Sequence, residues 1–198
     1  TADGWGEIRV TEEQGTFSEM VLPADDGLAA AADRLTEGHT VDPGTRLPVP
    51  TALTYWLRSV AAMLRRGVVV LLDYAAPVAD LANRGQAGWL RTYRAQQRGA
   101  SPLVTPGDQD ITADVPLEGL RRAASAAGLS VLTETTQAEW LRGQGIDGVV
   151  AEARAAWHGR DANDLAALTA RSRVHEAEAL LDPDGLGAHR VLILGKRV

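Results

Sequence analysis

Gly67-Val68-Val69-Val70-Leu71-Leu72-Asp73-Tyr74 is the stretch on which the reading of this chain turns. Residues 68–72 are an uninterrupted apolar run, too short for a helix, and predict a buried strand. The strand delivers a carboxylate and a phenol at its carboxyl end. Open α/β sheets build their sites in the crevice beyond such ends, so Asp73 and Tyr74 are the first candidate functional residues.

Working outward, residues 53–64 place Leu53, Trp56, Leu57, Val60, Met63 and Leu64 at helical steps of three and four, with Gly67 at the place of a C-terminal cap. Before that helix, residues 5–10 and 16–22 are β-prone runs around Glu12-Glu13-Gln14-Gly15, which predicts a hairpin. Between them lies a stretch rich in Ala, Asp, Gly and Thr, with a short helix over 28–35 and a turn at Asp42-Pro43-Gly44. Beyond the central strand the logic repeats. Leu117, Leu120, Ala123, Ala124 and Ala127, closed by Gly128, predict a helix, and residues 129–133 a strand. Thr136-Gln137-Ala138-Glu139 matches a capping box. A helical tract broken at Gly143, Gly145 and His158-Gly159-Arg160 then runs to residue 181, and residues 189–195 are a final strand. We expect residues 68–72, 129–133 and 189–195 to share one sheet. Trp56, Trp140 and Trp157 occupy apolar helical positions and are expected in the core.

Composition narrows the function classes. The 198 residues carry 20 basic and 26 acidic side chains and 45% hydrophobic residues, an ordinary globular balance with no basic field for nucleic acid or anionic lipid. There is no cysteine, which excludes disulfides, thiolate metal sites and Cys nucleophiles and is compatible with a reducing cytoplasm. No apolar run approaches the roughly 20 residues of a membrane span, and no signal pattern opens the chain. The expected location is cytoplasmic. The opening Thr1-Ala2-Asp3-Gly4-Trp5, without Met and almost directly in a strand pattern, reads as part of something longer.

Five ordered landmarks carry a family resemblance: the stretch 67–74; Leu90-Arg91-Thr92-Tyr93; Pro106-Gly107-Asp108-Gln109-Asp110-Ile111-Thr112-Ala113-Asp114-Val115; Thr136-Gln137 with Leu141 and Gly145-Ile146-Asp147; and Asp182-Pro183-Asp184-Gly185-Leu186-Gly187 before Val191-Leu192. Together they resemble the MidA family of class I S-adenosylmethionine-dependent methyltransferases over roughly residues 48–198. The resemblance implies an α/β chain forming the C-terminal half of a class I, Rossmann-like sheet. It implies a hairpin and loop insertion over 1–47, sheet and helices over 48–135, a helical insertion over 136–181 and a last, antiparallel strand over 182–198, all as one unit. It also implies that the S-adenosylmethionine loop and ribose-binding acid lie upstream, so that this chain holds no cofactor-binding residue of its own and is inactive alone. Its partners would be the missing N-terminal half and a protein substrate, with arginine as acceptor by likeness to the mitochondrial relatives that modify a complex I subunit. The chain departs from the family pattern at Ala75, at Gln96-Gln97 and at Leu47-Pro48-Val49-Pro50.

Each candidate has a functional and a structural reading. Asp73 orients the acceptor and takes its proton, or caps the next segment. Tyr74 lines the site, or packs with a wet hydroxyl. Arg91 clamps a carboxylate, or pins the polar segment by pairing with Asp108, Asp110 or Asp114. Asp110, Thr112 and Asp114 lie in a predicted loop and face substrate, or serve turn chemistry. His39, His158, His175 and His189 lack metal-ligand spacing, so no metal is expected. Gly185 and Gly187 follow a helix and precede a strand, the wrong order for a nucleotide cradle, and read as a turn. The rival function is a non-catalytic assembly module on the same scaffold, favoured by Ala75 and Gln96-Gln97; a small-molecule methyltransferase is a third.

Overall fold

The computed structural model describes residues 4–158 and 164–197. In chain order the elements are β1 (Gly6–Glu13), β2 (Thr16–Pro23), α1 (Asp26–Leu35), α2 (Leu53–Met63), β3 (Gly67–Asp73), β4 (Ala75–Ala76), α3 (Val78–Arg84), α4 (Gln86–Trp89), β5 (Leu90–Arg94), β6 (Gln97–Arg98), β7 (Asp110–Ala113), β8 (Val115–Pro116), α5 (Leu117–Ala126), β9 (Ser130–Thr136), α6 (Gln137–Gly143), α7 (Ile146–Trp157), α8 (Leu165–Leu181) and β10 (Arg190–Lys196). The sequence reading drew one unit; the structure groups the chain into two, residues 1–64 with 74–129, and residues 65–73 with 130–198. The break at 64/65 and 73/74 assigns β3 to the second unit, because its hydrogen-bonded strand partner comes from the far end of the chain.

In the first unit, β1 and β2 form the expected hairpin, paired from Gly6↔Pro23 to Glu13↔Thr16. Its two-residue turn has Gln14 at φ 50° and Gly15 at φ 78°, the double positive φ that matches the twist of a hairpin. Asp25 caps α1 by accepting from the Leu28 amide at 2.8 Å. The α2 and α5 helices contact each other, and the inward residues of both are buried: Leu57, Ala61, Leu117, Leu120, Ala123 and Ala124. The β4 and β8 strands form a two-residue parallel bridge, Ala75↔Val115 and Ala76↔Pro116, and α3 and α5 follow directly from them. Ala76, Leu81 and Trp89 form a small core with Leu47 and Leu90 packed on it.

Three details differ from expectation here. The α2 helix ends at Leu64, which is extended at φ −99° and ψ 129°, so Gly67, at φ 145°, opens β3 and caps nothing. Asp110–Ala113 is a strand, antiparallel to β5 through Tyr93↔Asp110 and Arg91↔Thr112. The β-branched pair Ile111-Thr112 fits a pleated ladder, and Asp110 and Thr112 therefore take their places from strand register rather than from a loop. Trp56 is exposed, and Trp140 and Trp157 are only half-buried; the buried indole is Trp89, whose Nε1 donates to the Arg46 carbonyl at 3.2 Å.

The second unit is a three-stranded sheet in the order β3-β10-β9 with β10 antiparallel to both neighbours. The three expected strands thus share one sheet, and α6, α7 and α8 lie in sequence between the last two. The capping box forms: Thr136 accepts from the Glu139 amide at 3.2 Å and the Glu139 carboxylate accepts from the Thr136 amide at 3.1 Å. Its Thr135 hydroxyl also donates to Glu139, and these bonds hold the Glu139 pKa at about 2. Central β10 is buried at Val191, Leu192 and Leu194. β3 is not the buried strand its composition predicts: Val68, Val70 and Leu72 are 48%, 41% and 45% exposed. Among the described residues β10 is the only strand that pairs with β3, which makes β3 an edge strand of this sheet.

Candidate functional site

In the first unit the polar candidates converge on one carboxylate. The Asp114 side chain is 5% exposed. It accepts from the Arg91 guanidinium through one oxygen and from Arg84 Nη2 at 3.1 Å through the other. Backbone geometry sets this up, since the Asp114 amide donates to the Trp89 carbonyl at 2.9 Å, and Thr112 two residues earlier stands directly across the ladder from Arg91. Arg91 also donates to the Gly88 carbonyl at 3.0 Å and lays its guanidinium over the Tyr74 ring, 4.6 Å from the centroid. Burial works against its charge, but the hydrogen bond and charge of Asp114 outweigh it, with Tyr93 adding to them, so the Arg91 pKa is raised. The internal pair anticipated for Arg91 therefore forms with Asp114. Residues 74, 91, 112 and 114 are brought together, and Asp110 sits two ladder positions along, opposite Tyr93.

Arg84 and Tyr93 were not singled out from sequence. Arg84 lies in the last turn of α3 with no motif around it; the i, i+2 spacing of Arg91 and Tyr93, which puts both on one face of a strand, was the available signal for Tyr93.

Asp73 belongs to the second unit, exposed at the carboxyl end of β3. Its cross-strand neighbour is Arg190, whose Nη2 donates to Glu134 at 3.1 Å.

The geometry of the helix starts bears on what a nucleotide-like cofactor would find. The connections from strand to helix, at Ala24-Asp25, Pro77, Pro116-Leu117 and Thr136-Gln137, contain no glycine. Three of these helix starts already receive the chain's own side chains: Asp25 on α1, Thr136 with Glu139 on α6, and on α3 the Glu118 carboxylate, which accepts from the Val78 amide at 3.0 Å. Gly187 is a packing glycine, because a Cβ there would sit 2.6 Å from the Leu181 carbonyl carbon; with Gly185 it forms the turn expected after α8. Among the described residues, none of these four strand-to-helix connections is glycine-rich. Among the same residues, no cluster of three or more His, Asp or Glu side chains could hold a metal ion, and no helix is long and apolar enough to cross a membrane.

Comparison with known proteins gives these residues a context. No curated protein matches the chain. Two solved structures from Burkholderia thailandensis are similar to it. One is the native structure of an uncharacterised COG1565 superfamily protein, 29% identical, with a TM-score of 0.77 over 98% of this chain and 50% of that one. The other is a COG1565 superfamily member bound to S-adenosyl-homocysteine, 31% identical, with a TM-score of 0.76 over 98% of this chain and 48% of that one. The chain therefore spans about half the length of either structural relative. Residues 1–135 match the family described as putative S-adenosyl-L-methionine-dependent methyltransferases, and to that family the chain belongs.

Proposed function

We propose that the chain supplies the substrate-side half of a MidA-type methyltransferase that modifies a protein, with an arginine side chain as acceptor. The observation that carries this reading is the exposed carboxylate of Asp73 at the end of β3 in a chain of this family. Methyl transfer from a sulfonium donor is an in-line displacement, so the protein's task is chiefly to orient the nucleophile. A guanidinium, with a pKa above about 12, is a poor nucleophile until a carboxylate aligns it and accepts a proton as the new bond forms. Asp73 is assigned that role and is the proposed catalytic residue. In the other unit, Tyr74, Asp110 and Thr112 are assigned to the acceptor side. Arg91 and Asp114 act as positioning residues there: their pairing holds the Tyr74 ring and the β5–β7 ladder in place.

S-adenosylmethionine is the methyl donor of the family, and we assign its binding to the half of the relatives that this chain does not span; the missing half and the protein substrate are the proposed partners. The reading is tested in the assembled enzyme. Asp73→Asn keeps the shape and removes the charge, and should lower turnover by roughly 10² to 10⁴, the range for a lost acid–base group, with cofactor affinity unchanged. Full turnover in that variant would reduce Asp73 to a structural residue. The assembly-module reading is favoured by Ala75 and by Gln96-Gln97, and predicts no turnover in the wild-type assembly either.

A further inference from the structure

Asp114 holds more arginine than its charge can balance. Arg91 and Arg84 take the two oxygens of this one buried carboxylate. A third arginine stands beside them: Arg98 is paired with Tyr93 across the β5–β6 ladder, and strand alternation puts Tyr93 on the same face of the sheet as Arg91. Each of the three is splinted to backbone of α3 or α4. Arg98 Nη2 donates to the Ala87 carbonyl at 2.8 Å, Arg91 Nη1 to the next carbonyl, Gly88, at 3.0 Å, and Arg84 Nε to the Asp80 carbonyl at 3.3 Å. Gly88 makes room for this arrangement, since a Cβ there would lie 2.7 Å from the Arg84 Cβ. Arg91 is enclosed, whereas Arg84 and Arg98 are exposed. Among the described residues their bonds end with those given, so Nη1 of each is left for a ligand.

We infer that Arg84 and Arg98 form a clamp for an acidic side chain of the protein substrate, next to its acceptor arginine. The inference rests on the reading that the acceptor is an arginine in a protein. A guanidinium held by one edge presents its other edge in the fork geometry that fits a carboxylate. The charge count selects a carboxylate over a phosphate. Asp110, exposed opposite Tyr93 on the same face, is the second acid of this surface, and three guanidinium groups against two carboxylates leave one positive charge, which a carboxylate neutralises and a phosphate dianion exceeds. Asp110 also gives a basic side chain a counter-charge. A face that offers both signs suits a peptide segment carrying both rather than a lone anion.

The test titrates the 198-residue chain with the peptide acetyl-Gly-Glu-Arg-Gly-amide, the same peptide with glutamine for glutamate, acetate and inorganic phosphate, and follows the arginine Nε–H signals by NMR. The glutamate peptide should shift the Arg84 and Arg98 signals saturably. It should bind about fivefold more tightly than the glutamine peptide, acetate or phosphate, the discrimination of a well-oriented exposed charge pair. Arg84→Gln and Arg98→Gln should each remove most of that preference. Arg84→Gln also takes a partner from Asp114, so Arg98→Gln, at an exposed strand position, carries the test if the first variant fails to fold. Equal binding of the two peptides, or a preference that survives both substitutions, would overturn the inference. Acetate as tight as the glutamate peptide would overturn it in favour of a free carboxylate ligand, and phosphate tighter than that peptide in favour of a phosphorylated one. A preference lost in the variants, for a peptide that the assembled enzyme does not methylate, leaves the clamp standing and overturns arginine as the acceptor. Methylation without the preference does the reverse.

Discussion

Replacing Asp114 by asparagine removes the charge at the centre of the first unit's polar cluster while barely changing the shape. The side chains of Asp114 and Arg91 are 5% and 10% exposed, so water cannot repay the lost partner. Breaking a buried pair by removing one member typically costs about 3–5 kcal/mol. Three features reduce that figure here. The asparagine carbonyl still accepts one bond, Arg91 keeps its bond to the Gly88 carbonyl and its place over Tyr74, and Arg84, 41% exposed, can turn to solvent. We therefore expect a loss of about 2–3 kcal/mol, roughly 4–12 °C in Tm for a chain of this size. Denaturant unfolding followed by far-UV circular dichroism measures it, with near-UV signal from Trp89 reporting on the adjacent core, since the Asp114 amide is bonded to the Trp89 carbonyl. A double-mutant cycle with Arg91→Met should return a coupling energy of at least about 1 kcal/mol, because the two residues share one interaction. Asp114→Asn within about 0.5 kcal/mol of the parent, the usual range for an uninvolved surface position, would refute the argument.

Further expectations follow from other elements. Calorimetry with this chain alone should detect no stoichiometric binding of S-adenosylmethionine at micromolar concentration, because three of its four strand-to-helix connections are already bonded by its own side chains and none carries a glycine; saturable binding would overturn the assignment of the cofactor to the other half. In the β5–β6 hairpin the two-residue turn holds Ala95 at φ 49° and Gln96 at φ 66°, so Gln96→Gly should raise stability by about 0.5–1 kcal/mol in urea unfolding, relief of the left-handed strain exceeding the added chain entropy. A loss would show that the Gln96 side chain stabilises the turn. Glu139, with its folded pKa lowered to about 2 against an ordinary value of 4.5, contributes stability that is present above about 4.5 and lost as pH falls toward 2. Acid titrations should accordingly show a shallower loss of stability in Glu139→Gln than in the parent across that window; identical slopes would mean that the capping box does not set this carboxylate's pKa.

Local features were legible in the residues because their causes are local. Gln14-Gly15 specifies a hairpin turn, Thr136 and Glu139 satisfy each other's amides within one helical turn, and Gly128 follows α5 at φ 71° where an L side chain would be strained. The sharing of one sheet by β3, β9 and β10 was also legible, from the alternation of strand and helix patterns, whereas the antiparallel run of β10 came from the family landmarks. What needed the tertiary structure is whatever depends on neighbours distant in sequence. Apolar composition alone indicates that residues 68–72 belong inside a sheet, yet it cannot say which strand lies beside them; that follows from β10 being, among the described residues, the strand that pairs with β3. Arg91 had three aspartates within plausible reach, and only the β5–β7 register together with the Asp114–Trp89 backbone bond selects Asp114. Trp56 shows the same limit, since helical periodicity marks a stripe but the packing of α2 on α5 decides which part of it is buried, and that choice falls on Leu57 and Ala61. Sequence by itself determined the local turns, the caps and the chemical kinds of the candidate residues, through forces acting over a few residues. Tertiary structure decided their partners and exposure, because burial and ion pairing are set by what the rest of the chain brings within a few ångströms.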